Sequence, residues 1–430
     1  MALVIFYILL ALMALGVPIV FALILGPIIG VIADGKPVFL SMMPQRIFSG
    51  INQFPLLAIP LFILAGEIMN HGGITIRLVT FARSLVGHLR GGLAQVNVVS
   101  SMLFAGLSGS AVADTSALGS ILIPAMEKDG YTRRFSAAIT AASSVIGPVI
   151  PPSIIMVVYA YIMGVSVAGL FAAGFVPGIM MGLGLMLVTG RLARKRRFPR
   201  SEKRASGREV GVAFGNAFLP LLTPVIILGG IISGIFTPTE AAAAAVVYAL
   251  FLSIFVLRTL PLARIPDMLY HAGIASSSIL LVIGAATVFG WVTSLSGMPN
   301  AVSGLLLGVS DNPYVVLFLV NVLLLFVGMF FDAGPAILIL GPLLGPTVLG
   351  LGIDPLHFAI VMCVNLTVGL ATPPMGLVLF VASTITRLSI TDIARDIWPF
   401  LLVHVTVIFL ITYVPPLTMT LPRLLGFASW

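Results

Sequence analysis

Gly106-Leu107-Ser108-Gly109-Ser110-Ala111-Val112-Ala113-Asp114 is a polar, flexible interruption in an otherwise apolar stretch, residues 92–127. A second interruption, Gly328-Met329-Phe330-Phe331-Asp332-Ala333-Gly334-Pro335, breaks residues 313–349 in the same way. In each, a proline stands ten positions beyond the aspartate: Pro124 after Asp114, Pro342 after Asp332. In each, a proline pair follows further along the chain, within Gly147-Pro148-Val149-Ile150-Pro151-Pro152-Ser153 and Gly369-Leu370-Ala371-Thr372-Pro373-Pro374-Met375. A stretch of this length with a polar centre allows two short spans, but it fits a re-entrant helical hairpin better. The four breaks are expected to build one site at membrane depth.

Outward from these stretches the chain is apolar throughout. Of its 430 residues, 59% are hydrophobic and 8% charged, too few charges to cover a soluble surface. Apolar runs of about 17–25 residues, enough to cross a bilayer as helix, recur from end to end. An all-α polytopic membrane protein is expected, and the alternating ten-residue strands of a β-barrel are absent. Residues 2–33 read as a retained span or helix pair rather than a cleaved signal, having no basic leader and no evident cleavage site. Residues 34–53 read as a polar connection. Residues 54–70, 166–190, 214–235 and 399–421 read as spans and residues 272–296 as a span or broken span, with residues 135–165 and 355–386 as spans broken at their proline pairs. Thr237-Pro238-Thr239-Glu240 predicts a helix start with a capping box. Residues 261–271 and 391–398 read as interfacial, and Glu67 as the last turn of its span.

Charge divides the chain. Nine basic residues crowd between Arg191 and Arg208, opposed nearby by Glu202 and Glu209. The positive-inside rule puts this connection, residues 191–213, in the cytoplasm, between a first half (1–190) and a second half (214–430). The run is short and tethered between spans, and gives no reason to expect nucleic acid. The hairpin at 92–127 is flanked by Arg77, Arg83, Arg90, Lys128, Arg133 and Arg134, whereas Asp311 and Asp354 flank that at 313–349. Residues 74–90 fit either a basic amphipathic helix in the headgroup region or a short span with snorkelling ends. Hairpin, connection and broken span recur in one order with opposite charge flanks, the pattern of two inverted repeats with discontinuous helices.

The breaks carry the chemistry. Irregular backbone at membrane depth persists only where it is buried in protein or lines a cavity. Carbonyls and hydroxyls freed there are hard oxygen ligands suited to Na+, while half-helix N-termini suit an anion. Pro151-Pro152 and Pro373-Pro374 donate no backbone hydrogen bonds, and they push Ile150 and Thr372 out of helical geometry. Asp114 and Asp332 fit either helix capping or direct ligation. Cys363 is the only cysteine, and His71, His88, His271, His357 and His404 have no ligand-like spacing, so interfacial or helix-end positions are expected for them. No phosphate-binding Gly-Lys-Ser/Thr loop, zinc cluster or nucleophile–base pairing is evident, which argues against an ATPase or other enzyme.

With these motifs assembled, the chain resembles the large membrane subunit of tripartite ATP-independent periplasmic (TRAP) transporters. The resemblance rests on residues 54–69, 106–119, 147–153, 234–241 and 371–376. It implies an elevator-type secondary transporter, multi-pass in a bacterial inner membrane and coupled to Na+, with two or more ions. It implies a small four-helix membrane subunit and a periplasmic substrate-binding protein as partners, and a small carboxylate-bearing solute as substrate. The alternative is a stand-alone Na+/carboxylate symporter that needs no binding protein. By the same resemblance one Na+ site would use Ser108, Gly147, Ile150 and Pro152. A second would use Gly328, Gly369, Thr372 and Met375. Substrate would lie near Ser108, Ser110, Asp332 and Asn365.

Overall fold

Seven helices among the described residues are long and apolar enough to cross a membrane, and an eighth span is counted if the bent pair Met298–Val309 and Pro313–Gly328 is one. The computed structural model describes residues 2–198 and 204–428. No strand occurs among them. The chain opens with α1 (Ala2–Ala14) and α2 (Ile19–Ala33), which turn over at Gly16, where φ is +78°. Residues 34–53 hold more than a polar connection, because α3 (Met43–Ile51) is a helix inside them. α4 (Ala58–His71) and α5 (Ile74–Val86) follow, joined through Gly73 in the left-handed region, φ +72°.

The first hairpin is α6 (Gly92–Ser108) and α7 (Ala111–Lys128); the first broken span is α8 (Arg133–Ser144) and α9 (Ile154–Met163). α10 (Val167–Arg196) and α11 (Gly207–Ile232) extend into the basic stretch, leaving only residues 197–206 to connect them. Leu, Ala, Arg and Lys all favour helix, so basic composition alone did not end α10. Arg200, Glu202 and Lys203 lie outside the described residues. α12 (Pro238–Phe251) begins with the expected capping box: Thr237 Oγ1 accepts from Glu240 N–H at 3.3 Å and Glu240 Oε2 from Thr237 N–H at 2.8 Å. α13 (Ile265–Leu295) is one continuous helix through the stretch read as an interfacial segment and a span. α14 (Met298–Val309), not expected from the sequence, starts after Gly297, φ +71°, and meets α15 (Pro313–Gly328) at 118°. α15 and α16 (Ala333–Gly350) form the second hairpin, and α17 (Pro355–Gly369) and α18 (Leu377–Thr386) the second broken span. α19 (Ile390–Tyr413) and α20 (Pro416–Leu424) complete the chain.

Packing sorts the helices into two bodies. α2, α3 and α4 pack on α13, α4 on α12, and α5 on α11. The hairpins and broken spans form the other body with α10 and α19, and exchange partners crosswise: α7 packs on α18, and α16 on α9. α13 faces the second body through α16, and α4 and α5 face it through α6.

Ion pairs and aromatic contacts identify the ends of this second body. At one end Arg133 holds Glu127 through two bonds, at 2.5 and 2.8 Å, and reaches the Thr386 carbonyl at 3.4 Å. There too, Asp396 accepts from Arg134 at 3.2 Å and from Arg196 at 2.9 and 2.8 Å. The base of the first hairpin, the start of α8, the end of α10 and the start of α19 therefore share one face, and it is basic. At the far end of α19, Tyr413 Oη donates to the Tyr314 carbonyl at 3.1 Å, and the His357 ring meets Thr418 Oγ1 at 2.8 Å and the Thr412 carbonyl at 3.2 Å. The start of α15 and the start of α17 sit there. From Asp396 to Tyr413 α19 rises about 26 Å, so the bases of the two hairpins lie at opposite ends of it. The positive-inside rule favours the cytoplasm for a face of this kind. His404 is no helix-end residue: it is fully buried midway along α19, where Nε2 meets the Ala142 carbonyl at 3.0 Å. His357 does sit at a helix end, in the first turn of α17, but it is buried between α17 and α20.

Candidate functional site

Both hairpin tips end on one cavity of about 480 Å³. Its walls include Ser110, Ala111 and Val112 from the first hairpin and Asp332, Ala333 and Gly334 from the second. Ile154 and Ile155 open α9 into it, and Leu377 opens α18 into it. The N-termini of α7, α9, α16 and α18 thus converge on one space. Each is a helix end with unsatisfied backbone N–H groups and partial positive charge. Ser110 caps α7, its side chain accepting from Ala113 N–H at 3.4 Å, and Asp332 caps α16, accepting from Ala333 N–H at 2.8 Å. The remaining wall is α13, with Ala275, Ser278 and Ile279. The sequence offers this stretch as a span or broken span with no role in the site; the run Ala275-Ser276-Ser277-Ser278 inside it is the available signal.

Behind the first tip, Ser108 ends α6 and its hydroxyl donates to Asp114 Oδ1. Asp114 is no cap, since Ser110 does that work; it is 0% exposed and its Oδ2 has no hydrogen-bond partner among the described residues. That oxygen lies against Gly147, where a Cβ would collide with it. Gly109 adopts φ +59°, and a Cβ there would come 2.7 Å from the Pro152 carbonyl oxygen. Residues 145–152 are irregular, and among the described residues no backbone N–H donates to the carbonyls of Gly147, Ile150 or Pro152. Ser108, Gly147 and Pro152 are therefore brought together, with Asp114 in their midst, and Ile150 lies on the same turn with its side chain against Gly178.

Behind the second tip, Gly328 and Gly369 pack backbone to backbone; a Cβ on Gly369 would collide with Gly328. The Gly369 carbonyl accepts from Thr372 N–H at 2.9 Å, and Thr372 Oγ1 donates to the Val368 carbonyl at 2.9 Å. Gly328, Gly369 and Thr372 are thus adjacent, while Met375 is exposed on the turn before α18. Asn365 does not line the cavity. It is buried on α17, where Nδ2 donates to Asn321 O at 3.0 Å and Asn321 Oδ1 at 2.8 Å. Ser101 and Ser143 make the corresponding link between α6 and α8, at 2.9 Å. No group of three or more His, Cys, Asp or Glu residues converges among the described residues. The buried Asp114 oxygen and the free carbonyls around it form a donor set of hard oxygens, which suits an alkali cation.

A helical membrane protein in which the N-termini of four interrupted helices meet at one largely apolar cavity has the architecture of a solute transporter. Residues 6–417 match the family described as "Tripartite ATP-independent periplasmic transporter, DctM component", and the chain belongs to it. It is similar to the C4-dicarboxylate TRAP transporter large permease protein DctM of Rhodobacter capsulatus, 40% identical over 99% of both chains. It is equally similar to the sialic acid TRAP transporter large permease protein SiaM of Vibrio cholerae, 40% identical over 98% of both. The sialic acid TRAP transporter permease protein SiaT of Haemophilus influenzae is 38% identical over 97% of this chain but only 67% of its own length. Among solved structures, the YdaH transporter of Alcanivorax borkumensis shares the fold, with a TM-score of 0.59 at 15% identity, covering 92% of this chain and 90% of that one. The protein is thus a large permease subunit of the bacterial inner membrane, and not an enzyme.

Proposed function

We propose that this subunit moves a small carboxylate-bearing solute inward through the central cavity, coupled to Na+ and fed by a periplasmic binding protein. The convergence of the α7, α9, α16 and α18 N-termini on one cavity carries the reading. Lys and Arg do not line that cavity, so a carboxylate there would be held by backbone N–H groups and helix dipoles. The relatives are named for C4-dicarboxylate and sialic acid, both carboxylate-bearing, which supports the class.

Ser108, Gly147, Ile150 and Pro152 would hold one Na+, with Asp114 added to them by its unpartnered oxygen. Gly328, Gly369, Thr372 and Met375 would hold a second. A cation bound at either set supplies positive charge beside the hairpin tips. The chain's own share is to present those oxygens from a hairpin and its broken span together, so that cation and tip geometry depend on each other. The crosswise packing of the halves and the opposite openings of the hairpins support inverted repeats. The seam between the hairpin body and α13 supports an elevator motion of that body past a scaffold. The longer length of SiaT, of which this chain matches about two thirds, supports a small membrane subunit as partner.

Uptake into proteoliposomes tests the reading, with the chain, its small subunit and the binding protein present. Accumulation is expected only with both the binding protein and an inward Na+ gradient. Uptake indifferent to Na+ removes the coupling; uptake without the binding protein makes the chain a stand-alone symporter.

A further inference from the structure

Three arginines on the cytoplasmic face line a groove well away from the central cavity. Arg90, in the connection between α5 and α6, and Arg191 and Arg194, in the last turns of α10, border a space of about 440 Å³. Three other arginines on this face are paired: Arg133 with Glu127, and Arg134 and Arg196 with Asp396. Arg90, Arg191 and Arg194 have no carboxylate partner among the described residues. Three like charges facing one groove repel one another and call for an anion.

A second, independent observation points into the same groove. Gln95 lines it and is only 4% exposed. Its Nε2 donates to the Met186 carbonyl at 2.9 Å and the Arg90 carbonyl at 3.3 Å, which fastens the α5–α6 connection to α10. Its Oε1 has no partner. A buried amide oxygen without a donor is destabilising, so a ligand here would carry a hydroxyl or ammonium as well as negative charge.

The approach to the groove is apolar. Ile179, Leu183 and Leu187 are exposed at four-residue spacing along α10, and the stripe runs directly into Arg191. This is a surface for an acyl chain ending under a phosphate. We propose that the groove binds an anionic phospholipid of the cytoplasmic leaflet with a hydroxyl-bearing headgroup, of the phosphatidylglycerol type. The three guanidiniums take the phosphate, a headgroup hydroxyl donates to Gln95 Oε1, and an acyl chain follows the α10 stripe. Bound lipid would hold the base of the first hairpin to α10.

The test is thermal unfolding of the full-length chain in a neutral detergent, titrated with dioleoylphosphatidylglycerol, dioleoylphosphatidylcholine or inorganic phosphate. Phosphatidylglycerol is expected to raise the midpoint by about 3–6 °C, and the other two by far less. Arg90→Gln and the double variant Arg191→Gln/Arg194→Gln should each lose at least half of that shift, while Lys128→Gln keeps it. Mass spectrometry of lipid co-purifying with each folded variant gives a second reading, in which phosphatidylglycerol content falls with the same substitutions. An equal shift with phosphatidylcholine, an equal shift with inorganic phosphate, or an undiminished shift and lipid content in both arginine variants overturns the proposal.

Discussion

Asp114 is the residue on which the central site turns. A carboxylate sealed at membrane depth with one oxygen unpartnered is expensive unless a counter-charge reaches it. Ser108 supplies one hydrogen bond, and Gly147 keeps the other oxygen clear of side-chain atoms. Asp114→Asn keeps the shape and the bond to Ser108 but removes the charge. If Na+ is the missing partner, Na+ in place of K+ should raise the unfolding midpoint of the parent protein by a few degrees. The asparagine variant should lose at least half of that response and be the more stable protein in Na+-free buffer. A variant with the full Na+ response would exclude Asp114 from the cation site. Thr372→Val is the matching test behind the second tip. Its hydroxyl donates to the Val368 carbonyl at 2.9 Å, which leaves lone pairs on the oxygen to accept a cation. The substitution should raise the Na+ concentration for half-maximal uptake several-fold while the protein stays folded; an unchanged Na+ curve would exclude the hydroxyl.

At the scale of elements, the hairpins depend on backbone fit more than on side chains. Gly109→Ala places a Cβ 2.7 Å from the Pro152 carbonyl oxygen in a left-handed turn, φ +59°. Overpacking and strain together should destabilise by about 2–4 kcal/mol, seen as a lower unfolding midpoint and lost uptake. Gly273→Ala, a helical glycine with open space around it, should change little. This explains what was legible in the sequence. A helix break is written locally in Gly, Ser and Pro, so α6–α7, α15–α16 and both broken spans could be read from those residues. The cap at Thr237 was equally local. α14 was not legible, because its composition differs little from a span and its packing on α16, with one helix between them in the chain, is a tertiary contact. Asp114 and Asp332 looked alike in sequence. Only tertiary packing separates the cap at Asp332 from the sealed carboxylate at Asp114, and Asn365 was drawn into a link with Asn321 that no local pattern reveals.

At the scale of the molecule, everything rests on the two hairpins opening to opposite sides. Charge flanks hinted at it, and the ends of α19 give it geometry: Asp396 meets Arg134 and Arg196 at one end, and Tyr413 meets Tyr314 at the other. Alternating access needs that opposition, since each hairpin must be able to face a different compartment. Sidedness can be measured directly. Cys363 is buried and is the only cysteine, so Cys363→Ala gives a cysteine-free background of ordinary packing. Lys128→Cys then marks the base of the first hairpin, and Asp311→Cys the approach to the second; both positions are exposed. In intact spheroplasts a membrane-impermeant maleimide should label the cysteine at 311 at once. The cysteine at 128 should stay unlabelled until the membrane is opened, and then react as fast. Equal labelling of both positions in intact cells would place both hairpin bases on one face. That would break the link between the hairpin tips, the shared cavity and alternating access, whatever the ions at Asp114 and Thr372 then did.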